Sequence, residues 1–255
     1  MTSSPDIALS VEDLGVIFSD ASGVVHALND LSFTLPTNSF ATLIGPSGSG
    51  KSTLLRVLAG LVPPTKGEFH FHNHHDHVGL VFQKPNLMPW RRVLENVCLP
   101  LELNETPPEE ITNRARDIIR LVGLEGFEKA YPRDLSGGMA QRVAIARSMM
   151  QDPDILLLDE PFGSLDALTR EIMGDELLQI WQARRKTVLM VTHSISEAIY
   201  LSDQVLVLSP RPGKIELELA IDLPRPRKPE MRYLSEFSSL AQQLRDSLRE
   251  THALR

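Results

Sequence analysis

The chain has a single cysteine, Cys98, in 255 residues. An internal disulfide framework is therefore excluded, and a buried or idle thiol in a reducing compartment is expected. Long apolar runs are also missing. Hydrophobic residues make up 42% of the chain, yet no run approaches the ~20 residues of a membrane span. The first residues, Met1-Thr2-Ser3-Ser4-Pro5-Asp6, lack the basic segment and apolar stretch of a secretory signal, so none is expected. Nor is there an excess of positive charge. The 26 basic residues face 33 acidic ones, giving a formal net charge of −7. That balance disfavours a nucleic-acid partner held by phosphate neutralisation. One local basic stretch, Pro224-Arg225-Pro226-Arg227-Lys228-Pro229, is short and proline-broken, and is expected to be a loop.

What the chain does have is a phosphate-binding loop. Gly45-Pro46-Ser47-Gly48-Ser49-Gly50-Lys51-Ser52-Thr53 fits G-x-x-x-x-G-K-[ST]. The apolar run Phe40-Ala41-Thr42-Leu43-Ile44 precedes it and predicts a buried strand. The stretch from Ser52 to Ala59 follows and predicts a helix. Glycines let consecutive N–H groups curl around an anion, and the helix start adds positive potential. Lys51 is placed to reach the β- and γ-phosphates of a nucleotide, and Ser52 to ligate Mg²⁺. The bland alternative is a glycine-rich turn, which the strand–loop–helix context disfavours.

A second apolar run, Ile155-Leu156-Leu157-Leu158, ends in two acids, Asp159 and Glu160. Ligands of open α/β sheets bind beyond the carboxyl ends of strands. Asp159 is thus a candidate Mg²⁺ ligand. Glu160 is a candidate general base for a water in line with the γ-phosphate. The alternative for Glu160 is a solvated strand end.

With these segments goes Leu135-Ser136-Gly137-Gly138-Met139. Ser136 is a good N-cap, Gly137 and Gly138 permit close approach of a phosphate, and a helical stretch follows. A second anion-binding helix start is therefore expected in the same chain.

The ordered set resembles the ATPase subunits of ABC transporters over nearly the whole chain. Residues 135–139 resemble the family signature. Gln83 matches the Q-loop, Asp166 in Ser164-Leu165-Asp166 the D-loop, and His193 the switch histidine, while Phe18 falls where the family stacks an aromatic on adenine. The resemblance implies ATP and Mg²⁺ as ligands. It implies Glu160, His193 and Gln83 as catalytic residues, with Ser52, Gln83 and Asp159 around Mg²⁺. Nucleotide contacts are implied for Phe18, residues 45–53, Ser136, Gly137, Gly138 and Asp166. In the family the signature caps ATP held by another subunit. One phosphate loop and one signature therefore imply a second ATPase subunit, a homodimer being expected, in a two-fold, head-to-tail pair.

The implied fold is α/β: a P-loop NTPase (RecA-like) core with an antiparallel β subdomain and an inserted helical subdomain. Residues 1–228 form the ATPase domain, with the core at 36–84 and 151–222. The antiparallel part is expected at about 7–35 and 67–82, the latter as a hairpin ending at Gln83, and the helical subdomain at about 85–150. Pro210-Arg211-Pro212-Gly213 predicts a turn between two strands. Residues 229–255 form a C-terminal helical extension whose Leu234, Phe237, Leu240, Leu244 and Leu248 share one face, expected to pack on the core.

Residues Phe82 to Trp90, Met139, Leu208 to Gly213 and Leu223 to Arg227 resemble the ATPases of nitrate, sulfonate and taurine importers. This implies a peripheral subunit on the cytoplasmic face of the inner membrane. Its partners would be an integral-membrane permease, contacted through Leu87–Arg91, and indirectly a solute-binding protein. Trp90 has two readings, a partner anchor or a core residue of the helical subdomain. The alternatives to import are an export ATPase and a non-transport ABC ATPase acting on nucleic acid or the ribosome. Ala140 stands where the family often has glutamine. His70, His72, His74, His75 and His77 invite a metal reading against that of a solvated strand and polar turn.

Overall fold

The computed structural model describes residues 6–20, 23–72, 77–103 and 106–253. The chain forms two compact units, Met1–His74 with Arg185–Arg255, and His75–Arg184.

In the first unit, β1 (Ile7–Asp20) lies between β2 (Gly23–Pro36) and β4 (Lys66–Phe71), antiparallel to both. Alternation along β2 buries Leu31, Phe33 and Leu35 and leaves the intervening residues exposed. A second group centres on β3 (Phe40–Ile44), which runs parallel to β7 (Thr187–Thr192) and to β8 (Gln204–Leu208). Every residue of β3 and β7 is buried, as expected for strands covered on both faces. β9 (Ile215–Ala220) closes the edge antiparallel to β8. The helices of this unit are α1 (Lys51–Leu58), α6 (Ile195–Leu201) and α7 (Ser235–Ala253).

The apolar stripe of α7 packs inward as expected. Phe237 and Leu244 are buried, and the helix lies against α6, β8 and β9. Leu234, just before the helix, is exposed instead.

The basic stretch before α7 is a strap rather than a free loop. Arg225 donates to Asp203 Oδ1 at 2.6 Å and to Leu201 O at 2.7 Å. Arg227 is buried and donates to Ser202 O at 2.7 Å and to Leu223 O. Two guanidinium groups therefore satisfy the carbonyls at the end of α6. Burial pushes the Arg227 guanidinium down to about 10.

In the second unit, β5 (Val78–Val81) pairs in parallel with β6 (Ile155–Asp159). Residues 67–82 are therefore not a hairpin. β4 is antiparallel and pairs with β1, whereas β5 is parallel and pairs with β6. The helices are α2 (Val93–Glu102), α3 (Pro108–Leu121), α4 (Gly137–Ser148) and α5 (Ala167–Arg184). α3 shows why such segments are helical. Pro108 occupies its start, Glu109 and Glu110 its first turn, and Ile111, Ala115, Ile118 and Ile119 form its buried face.

Cys98 lies on α2 with 6% of its surface exposed, and burial pushes its thiol up to about 11 from an ordinary 9.0. At pH 8 the folded chain should hold about a hundredfold less thiolate than the unfolded chain. Iodoacetamide should thus label native protein far more slowly than protein in guanidinium chloride. Equal labelling rates would show that Cys98 is open to solvent.

Candidate nucleotide site

Each unit carries a share of the predicted site. In the first, parallel register sets the edge. Ile44 on β3 stands opposite Thr192 on β7 and Val207 on β8. The phosphate loop leaves that edge and enters α1, with Gly50 in the left-handed region (φ 98°) as its N-cap. The turn needs glycine there, because a Cβ at Gly50 would lie 2.5 Å from Leu28 Cδ2 and 2.8 Å from Ala27 O.

Lys51 is buried, with 6% of its surface exposed. Its ammonium donates to Gly45 O and Pro46 O, each at 2.8 Å, and to Ser49 Oγ at 3.4 Å. A buried ammonium needs such partners. Ser47 and Gly48 are exposed at the crest of the loop, while Ser52 and Thr53 are half-buried in the first turn of α1. A cradle in which a side chain would collide, ending on a helix start beside a lysine, fits a nucleotide polyphosphate. Phe18 is 44% exposed on β1, paired with Val25 on β2, so its side chain is not enclosed in the core.

His193 follows β7 directly and is exposed. Its neighbours are locked. Thr192 Oγ1 donates to Glu197 Oε2 at 2.5 Å and accepts from Ser194 N at 3.1 Å, while Ser194 Oγ accepts from Glu197 N at 3.3 Å.

In the second unit, β5 and β6 end level, with Val81 opposite Leu158. Two residues further on, Gln83 Nε2 donates to Glu160 Oε2 at 3.2 Å. Asp159 is buried at the end of β6. Glu160 adopts φ 44°, a left-handed backbone uncommon outside glycine and found often at functional sites. An acid held by an amide, next to a buried carboxylate, suits water activation and cation binding.

Ser136 caps α4 by accepting from Met139 N at 3.3 Å. A Cβ at Gly137 would touch Leu165, and one at Gly138 would touch Met173. Asp166 has a local task that the sequence did not signal. Its carboxylate accepts from Thr169 Oγ1 at 2.6 Å and from Thr169 N at 3.0 Å, capping α5.

Sequence reasoning also missed Asn96, which is fully buried on α2. Its Nδ2 donates to Arg91 O at 2.9 Å and Arg92 O at 3.1 Å, and its Oδ1 accepts from Met88 N at 2.8 Å. That pins the turn bearing Trp90, which is 71% exposed. Trp90 therefore does not fill a core.

His74 and His75 lie outside the described residues. His72 meets Ser10 Oγ at 2.9 Å and His70 meets Glu68 at 3.5 Å. Among the described residues no group of three or more metal-binding side chains forms, and no helix is long and apolar enough to cross a membrane.

The family model for ABC transporters matches residues 28–163, which takes in the phosphate loop, the signature and the acidic strand. The chain belongs to the ABC transporter family. A taurine import ATP-binding protein of Rhizobium johnstonii is 42% identical over 97% of this chain and 98% of its own length. A nitrate import ATP-binding protein of Synechocystis is 45% identical over 85% of this chain and 83% of its own. Among solved structures, a dimeric ATP-binding cassette in a post-hydrolysis state, bound to ADP and phosphate, superposes with a TM-score of 0.74. It is 31% identical and covers 85% of this chain and all 100% of that one. As an ABC transporter ATP-binding protein the chain is an ATPase with a P-loop NTPase fold.

The Thr169 hydrogen bonds hold the Asp166 carboxyl below its ordinary 3.8. A depressed carboxylate contributes stability that is present above the unfolded pKa and lost as pH falls through the folded one. Asp166→Ala should lower the melting temperature at pH 7, and the gap from wild type should close as pH falls below 3.8. A gap that persists in full at pH 2 would show that the cap does not depend on the charge.

Proposed function

We propose that this chain is the ATP-hydrolysing subunit of an importer for a small solute of the nitrate, sulfonate or taurine kind. It would work on the cytoplasmic face of the inner membrane beside a separate permease, which a solute-binding protein supplies. The observation that carries the chemistry is the Gln83–Glu160 hydrogen bond at the level ends of two parallel strands. Glu160 takes the proton of the attacking water. Gln83 orients that carboxylate, and His193 assists at the γ-phosphate.

Residues 45–53 hold the phosphates, Lys51 supplying the positive charge, and Phe18 stacks on adenine. Ser52, Asp159 and Gln83 would hold Mg²⁺, whose chemistry when bound is to neutralise charge on the phosphates. Ser136, Gly137, Gly138 and Asp166 serve the nucleotide of a second copy, so the working form is a head-to-tail dimer. The dimeric cassette with ADP and phosphate supports that arrangement. The taurine and nitrate import relatives support the direction of transport. Exposed Trp90, with Leu87 and Arg91 nearby, supports a permease contact, since aromatic and arginine side chains dominate binding hot spots.

Glu160→Gln should keep ATP affinity and slow hydrolysis by at least about a hundredfold, the scale of a general-base contribution. Gel filtration with ATP should then show a trapped dimer. Near-normal turnover would remove Glu160 from this role.

Trp90→Ala should leave the isolated subunit's ATP hydrolysis and melting temperature close to wild type. Co-purification with the permease should weaken, and transport should fall. Unchanged transport by the variant would sink the proposed contact.

A further inference from the structure

The turn between β8 and β9 is built for more than reversing the chain. Ser209 Oγ lies 2.9 Å from Pro210 O and 3.0 Å from Pro212 O, and accepts from Lys214 N at 2.9 Å. This internal bonding holds residues 209–214 in one shape. The turn then reaches two other segments of the same unit.

One is β2. Gly213 N donates to Ala27 O at 3.0 Å, and Gly213 O accepts from Asn29 N at 3.0 Å, so a single residue of the turn forms a parallel bridge to Leu28. The other is the phosphate loop. Arg211 Nε donates to Gly48 O at 3.2 Å. A Cβ at Gly213 would lie 2.2 Å from Ser49 O, so only glycine lets these two backbones meet. At the base of the turn, a Cβ at Gly45 would lie 2.8 Å from Leu208 O. The loop is thus gripped at residues 45, 48, 49 and 50 by β8, the turn and β2.

β2 carries the contact onward. Leu28 stands opposite Val16 on β1, and three residues before it Val25 stands opposite Phe18. The turn therefore ties the phosphate loop to the strand pair that bears the exposed Phe18.

We propose that residues 209–214 are a positioning clamp for the phosphate loop. Arg211 holds the loop at Gly48, and Gly213 fixes it against the strands that carry Phe18. Both are positioning residues that act through the loop backbone. A loop with three glycines in six residues has much conformational freedom to lose on closing around an anion. Fixing it beforehand removes that loss from the free energy of binding. The inference rests on the proposed use of ATP by this loop.

The test uses the full chain with Arg211→Ala, Arg211→Lys and Gly213→Ala. The readouts are the Kd for ATP and for inorganic tripolyphosphate by calorimetry, kcat and KM for hydrolysis, and the melting temperature without nucleotide. Arg211→Ala should weaken both ligands about three- to tenfold, as expected for one charge-assisted hydrogen bond. It should raise KM in step while leaving the melting temperature and kcat near wild type. Arg211→Lys, which keeps a cationic donor, should recover part of that loss. Gly213→Ala should weaken both ligands at least about tenfold, because its Cβ collides with the loop backbone. Variants that lower only the melting temperature, or that bind both ligands as wild type does, would overturn the clamp. A wild-type chain that binds neither ATP nor tripolyphosphate would overturn the ATPase reading itself, and the clamp with it.

Discussion

The register of β3 between β7 and β8 is the constraint on which the first unit depends. Ile44, Thr192 and Val207 are level, so the chain leaves all three strands at one edge. The phosphate loop, His193 and the 209–214 turn follow from those exits. A slip of one residue in a strand reverses which face each side chain occupies. Here it would also move one exit relative to the others. Strands buried on both faces cannot fix their register by inward–outward alternation. The hydrogen bonds at their ends do so instead. Asp203 Oδ2 accepts from Phe40 N at 2.9 Å, and Thr187 Oγ1 accepts from Asn38 N at 3.0 Å. The same logic recurs in the second unit, where the level ends of β5 and β6 bring Gln83 to Glu160.

Much of this was legible in the sequence because parallel strands read as largely apolar runs and end in the residues proposed to do the chemistry. The loop at 45–53, the acids at 159 and 160 and the capped helix at 136 all follow from such local patterns. Strand pairing was less legible. Residues 67–82 alternate like a hairpin, yet β4 and β5 find partners far away in sequence. Alternation reports which faces of a strand are buried and says nothing about its neighbour. The partners of β4 and β5 are fixed by packing that no short window contains.

The arginines were the least legible feature. The run from Pro224 to Pro229 looks like a solvated basic patch, but Arg225 and Arg227 are bound to carbonyls and to Asp203. A guanidinium has five donors in a fixed fork, so it can close several open carbonyls at a helix end. That use depends on where α6 stops and on how the following chain returns, neither of which is written locally. Asp203 makes the strap matter for the site, because one of its oxygens holds Arg225 and the other holds the first residue of β3.

The second unit shows how a small change at Gln83 could be felt at a distance. The segment after Gln83 is gripped from two helices. Arg147 on α4 donates to Pro85 O at 2.8 Å and to Asn86 O at 2.9 Å, and Gln141 on the same helix donates to Phe82 O at 3.3 Å. Asn96 on α2 holds the next turn, from Met88 to Arg92, which presents Trp90. Arg147 is half-buried and its desolvation makes these carbonyl contacts costly to break, so Pro85 and Asn86 cannot drift from α4 without leaving that charge poorly satisfied. A shift of Gln83 is therefore not absorbed in a loose loop. If Gln83 contacts nucleotide as proposed, these bonds offer a shift there a route to α4, which Ser136 caps, and along the pinned segment to Trp90. Rigid elements joined by such bonds move between discrete arrangements, which is the physical requirement for the proposed coupling of a nucleotide contact at Gln83 to a partner surface at Trp90.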